Sequence, residues 1–171
     1  MKINMEKVTA TGGGLLELGD YRFLVATCDK DSYGEGEDKE DGFVCSVQVL
    51  SGSVAGQEGK ELNYERFYNK RLFMLAAALG LTNTVTGKVF TKADYDQLLK
   101  DHEEGKQIGE FNFEPEEAVN REFYCDVKLG KAKTSGSNVG KRFPQLGWNL
   151  RSIPIDEPAA VGAPSGDAAF D

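Results

Sequence analysis

The sequence predicts a mainly β domain of five strands, with helices inserted between the third and fourth and an acidic tail after the fifth. Three observations carry that expectation. Five runs alternate along the chain at period two and are rich in β-branched and aromatic residues. One Leu/Ala-rich run lacks the alternation and stops at a glycine. From Pro154 onward the chain holds Pro, Ala, Gly and acid, with little apolar matter to pack. With 171 residues, 40% hydrophobic and 28% charged, the chain is long enough for one core without staples. It lacks the apolar run of about 18 residues that a membrane span needs. Met1-Lys2-Ile3-Asn4 has no signal-peptide character, so a cytoplasmic place is expected.

The elements follow in order. Gly12-Gly13-Gly14 is a break, and Gly19-Asp20 is a turn signal. Tyr21–Cys28 is the first strand, with Tyr21, Phe23 and Val25 set against Arg22, Leu24 and Ala26. Residues 29–42 read as a polar loop. Phe43–Leu50 is the second strand, and Phe43, Cys45, Val47 and Val49 share one face. A glycine-rich loop leads to a third strand over Glu61–Tyr68. Arg71–Leu81 is the Leu/Ala-rich helix, buried and stopped by Gly80. A second helix is expected over Lys92–Glu103, capped by Thr91 with Asp94 three residues on. Pro115–Ala118 is one helical turn with proline at its first position. Glu122–Leu129 is the fourth strand, with Phe123, Cys125, Val127 and Leu129 on the core face. Residues 130–142 form a basic Gly/Ser hairpin loop. Phe143–Ile153 is the fifth strand, interrupted by Pro144 and Gly147, and Trp148 alternates with Leu146 and Leu150 as a core residue. The expected organisation is a domain over residues 1–153 and a disordered acidic tail over 154–171.

Three strands, a helical connection and two more strands is the order of the five-stranded OB-fold barrel. The residues also carry a resemblance. Gly19-Asp20-Tyr21-Arg22-Phe23, the run Phe43–Val49 with Leu50-Ser51-Gly52, and the third strand after Ala55-Gly56 resemble phage-encoded single-stranded DNA-binding proteins. The Leu/Ala-rich helix, the strand opening Arg121-Glu122-Phe123 and the basic Gly/Ser loop fit the same pattern. The resemblance spans roughly residues 19–153 and implies an OB-fold that binds single strands in phage DNA replication or recombination.

Charge and aromatic layout point the same way. Residues 121–151 hold seven basic and two acidic side chains, in a chain of net charge −8. A single-strand binder needs cations for phosphates and aromatic faces for bases. The candidate cations are Arg66, Lys128, Lys131, Lys133, Lys141, Arg142 and Arg151, and the stacking candidates are Tyr64, Tyr68 and Tyr124. At period two Tyr64, Arg66 and Tyr68 share one face, and Phe67 points to the core. Asp156, Glu157, Asp167, Phe170 and Asp171 make an acidic tail with a phenylalanine near its end, a candidate to recruit replication or recombination enzymes.

Other chemistries find little support. Cys28, Cys45 and Cys125 are odd in number and widely spaced, which argues against a disulfide framework and a zinc site. His102 is the single histidine, in a polar surface run, and no GxSxG elbow is present. Asp29, Asp31, Gly34 and Glu40 match positions of a calcium loop, but Tyr33 and Gly36 break the pattern and strands flank it. No glycine-rich phosphate loop occurs. No cofactor, metal or enzymatic activity is expected. Self-association stays open. The alternative is an acidic, β-rich protein-interaction or virion-associated module that binds no nucleic acid; a metal-dependent nuclease built on the acids of the helical insert is a distant third.

Overall fold

The computed structural model describes residues 15–154 and Glu157. Its main sheet has five antiparallel-paired strands in the order β3-β2-β1-β6-β7. These are β1 Gly19–Tyr33, β2 Glu40–Gly52, β3 Glu61–Tyr68, β6 Glu122–Leu129 and β7 Pro144–Leu146. A two-stranded ribbon, β4 Thr82–Asn83 with β5 Lys88–Val89, lies in the insert with helices α1 Asn69–Leu79, α2 Lys92–Glu103 and α3 Pro115–Ala118. The sheet curls until β3 and β7, its two outer strands, approach as parallel neighbours. The result is a nearly closed five-stranded barrel, consistent with an OB-like fold. Among the described residues no helix is long and apolar enough to cross a membrane.

The expected core faces are inside. Tyr21, Phe23, Val25, Phe43, Cys45, Val47, Val49, Phe67, Phe123, Cys125 and Val127 are buried. Helix α1 begins two residues earlier than expected, at Asn69, and Gly80 ends it in the left-handed conformation at φ 69°. Arg121 caps its carbonyls, donating from Nη1 to Leu79 O and Gly80 O at 3.0 and 2.9 Å. Thr91 and Asp94 form a capping box at the start of α2. Phe73, Phe90, Phe111 and Phe113 pack ring to ring and tie the insert to α1.

Four expectations are corrected. Residues 29–42 are not one loop: β1 runs on to Tyr33 and β2 starts at Glu40, so Asp29 pairs with Val44 and Asp31 with Gly42 on a ladder. β1 alternation does not hold throughout, because a bulge between Val25 and Thr27 resets it and turns Cys28 inward. Leu129 is 42% exposed at the barrel rim. The fifth strand is short. After Leu146 the chain turns onto Asp126: Gly147 N donates to Asp126 O at 2.8 Å, and Asn149 N to Asp126 Oδ1 at 3.1 Å. The alternation is lost there, and Trp148 ends 59% exposed instead of in the core.

Candidate functional site

The barrel seam is closed by side chains where ladder hydrogen bonds stop. Glu65 is buried on β3 and accepts from Leu146 N at 3.1 Å. Arg71, on α1, donates to Leu146 O at 2.8 Å and Gly147 O at 3.2 Å, and its Nη2 lies 3.6 Å from Glu65 Oε1. Burial pushes the Glu65 carboxyl up, and Arg71 only partly opposes it. The Arg71 guanidinium carbon also sits 4.7 Å from the Phe67 ring centroid and 5.7 Å from that of Trp148. This seam fixes β3 beside β7, and therefore fixes the outer face of β3 relative to the hairpin that precedes β7.

The outer face of β1-β2-β3 holds an aromatic pair. Asp31, Gly42 and Tyr68 lie in one row across the three strands. Gly42 leaves the room: a Cβ at that position would collide with the Tyr68 ring. Tyr33 packs on Tyr68 with ring centroids 5.6 Å apart and stays 63% exposed. Arg66, whose side chain is 62% exposed, stands next to them with Nε 3.6 Å from Asp31 Oδ2. Tyr68 donates its hydroxyl to Asp31. Burial and that bond push Tyr68 up to about 12, and the same bond holds Asp31 below the ordinary carboxylate range.

Tyr64 is exposed, but not by the expected alternation. Cys45 pairs with Glu65 and Val47 with Leu62, so Asn63 and Tyr64 together oppose Ser46. Tyr64 sits in this bulge at φ 60° and is 81% exposed. Since β7 runs parallel to β3 with Leu146 at Glu65, Pro144 comes to the Tyr64 end of β3. The 130–143 hairpin leaves from that end, while Tyr33 and Tyr68 occupy the other. Lys131, Lys133, Lys141 and Arg142 are exposed on the hairpin. Lys133 leans on the Phe143 ring at 5.8 Å, and Arg142 donates to Gly130 O at 2.8 Å, so its guanidinium braces the hairpin backbone. Lys128 is exposed with Nζ 3.7 Å from Asp126.

Tyr124 and Arg151 belong to a different cluster. Tyr124 pairs with Arg22 across β1 and β6, nine positions along β1 from Asp31, about 30 Å of extended strand. Its hydroxyl donates to both oxygens of Glu157 at 2.5 and 2.7 Å, and that contact raises it. The guanidinium carbons of Arg22 and Arg151 lie 5.9 and 5.6 Å from the Tyr124 ring centroid. Arg151 also pairs with Asp20. Tyr124 is thus half-buried in an ionic network and not an open stacking face beside Lys128. Of the tail residues, Glu157 is placed here; Asp156, Asp167, Phe170 and Asp171 lie outside the described residues.

Two exposed aromatics were missed by the sequence reading. Tyr33 falls within the expected 29–42 loop; period two groups it with Asp29 and Asp31, but unbroken alternation from Tyr21 would turn it to the core, and only the bulge at Ala26 puts it on the outer face with Tyr68. Trp148 gave no such signal, because its exposure depends on the turn onto Asp126. No family model matches the chain, and no curated protein matches it.

Proposed function

We propose that the chain is a non-enzymatic, sequence-tolerant single-stranded DNA-binding protein of phage replication or recombination, whose acidic C-terminal segment recruits partner enzymes. The observation that carries this reading is the Tyr33–Tyr68 pair beside Arg66 on the open face of β1-β2-β3. That face is bounded at its Tyr64 end by the cationic hairpin. Bases stack on Tyr33, Tyr68 and Tyr64, and phosphates run from Arg66 to Lys131, Lys133 and Lys141. Lys128, opposite Gln145 at the base of the hairpin, joins the phosphate track, while Tyr124 and Arg151 extend it at most as a second contact, since their cluster lies far along β1.

The test is fluorescence anisotropy of a labelled oligo-dT at low and moderate salt, with duplex competitor. Tight, salt-sensitive binding that duplex does not displace is expected. Replacing Lys131, Lys133, Lys141 and Arg142 by Ala should weaken it and flatten the salt dependence by about three phosphate contacts, because Arg142 is spent on the hairpin backbone. No binding at low salt would discard the reading in favour of a protein-interaction module. That alternative draws on the acidic hairpin end, where Glu35, Glu37, Glu40 and Asp41 are exposed.

A further inference from the structure

We propose that Cys28 and Cys45 form a covalent modification site, a dithiol that closes into an intramolecular disulfide across β1 and β2. The two residues are directly opposite in the β1–β2 register. Opposite residues of an antiparallel pair have Cα atoms about 4.5 or 5.5 Å apart, and both spacings fall within the range that disulfides accept. Their sulfurs are already 3.1 Å apart, with Cys45 Sγ donating to Cys28 Sγ. Cys28 is 6% exposed and Cys45 2% exposed, so each thiol has the other as its nearest reactive neighbour. The third cysteine stays out of reach. Cys125 pairs with Tyr21, seven positions from Cys28 along β1, about 20 Å of strand, and disulfides do not bridge Cα atoms more than about 7 Å apart. The dithiol pair does not depend on nucleic-acid binding.

The oxidant is a low-molecular-weight disulfide such as oxidised glutathione. One cysteine thiolate attacks a glutathione sulfur, and one glutathione leaves as its thiolate, giving a mixed disulfide. The second cysteine thiolate attacks the protein sulfur of that adduct and expels the second glutathione. Two cysteine thiols are oxidised, one glutathione disulfide is reduced to two thiols, and the two protons end on the glutathiones. The hydrogen bond to Cys28, with burial, raises the Cys45 thiol and holds it protonated in the closed barrel. The reaction therefore runs while the β1–β2 ladder is open, during folding, and the barrel then encloses the bond. The bond would close a 17-residue separation that includes Tyr33.

The test uses the full chain, reduced, unfolded and refolded with or without oxidised glutathione. Thiols are then counted in denaturant and tryptic peptides weighed without reduction. The expected result is one thiol left of three, with peptide 23–30 linked to 40–60 and lighter by two hydrogens than the sum of the two. The oxidised form should also have a higher denaturation midpoint, with the folding equilibrium favoured on the order of 100-fold. Three remaining thiols, a link to peptide 122–128, or a lasting glutathione adduct would overturn the proposal. So would a linked peptide with no rise in midpoint, since the bond would then not fit the native register. Cys28→Ser and Cys45→Ser should each yield no internal link, and Cys125→Ala should leave it intact.

Discussion

Removing the Glu65 carboxylate tests whether the β3–β7 seam is held by the oxygens Glu65 presents to Leu146 N and Arg71. Glu65→Ala leaves Leu146 N without its acceptor and Arg71 without its counter-charge. The Arg71 side chain is 15% exposed, and its Nε already has no hydrogen-bond partner among the described residues, so water replaces the carboxylate poorly. Breaking a buried pair from one side costs about 3–5 kcal/mol. Glu65→Gln keeps an oxygen for Leu146 N and loses the charge, at about 1 kcal/mol. Urea unfolding followed by fluorescence of Trp148, the single tryptophan, measures both, and its ring rests near Arg71. The pH dependence adds a sign. An acid raised in the folded state binds its proton more tightly there, so its contribution to stability falls as pH rises from the unfolded pKa through the folded one. Glu65→Gln lacks that fall and should gain on the wild type across the same window. If Glu65→Ala costs no more than Glu65→Gln, the oxygen that accepts from Leu146 N does not hold the seam and the reasoning fails.

Three further outcomes concern the outer face. Tyr33→Ala and Tyr68→Ala should each weaken oligo-dT binding about tenfold, with Tyr124→Ala changing it less; equal losses at all three would place the interface elsewhere. Asp31→Asn removes a negative charge beside Arg66 and should tighten binding roughly threefold, the effect of one charge about 6 Å from a phosphate in water; weaker binding in anisotropy would refute that role. Gly42→Ala puts a methyl into the Tyr68 ring, so oligo-dT affinity should drop and the midpoint of unfolding should fall; unchanged values for both would show that the ring has room to move.

Period-two runs put Phe43, Cys45, Val47 and Val49 on one face, and β2 buries that face, because a strand with one side in a core must repeat every second residue. Helix α1 was equally readable, since Ala and Leu favour helix at every position and Gly80 alone accepts the left-handed stop. The strand order that makes the barrel followed from the order of elements. The basic hairpin followed from its lysines and glycines.

The tertiary structure decided what periodicity cannot carry. Bulges at Ala26 and at Asn63–Tyr64 shift the alternation by one residue, and a one-residue shift reverses which face every later side chain occupies. That shift is what brings Cys28 opposite Cys45 and leaves Tyr64 in solvent. Whether Trp148 is core or surface depended on Asp126, more than twenty residues earlier, capturing Gly147 and Asn149. Tyr124 and Tyr68 look alike in sequence, each sharing a strand face with a basic residue, Lys128 for the one and Arg66 for the other. Only the partners brought from distant segments separate them: Arg22, Arg151 and Glu157 for the one, Asp31 and Tyr33 for the other. Local pattern fixes which face of a strand is apolar. Which polar neighbours meet on the other face is set by long-range register, and that is where the candidate site lies.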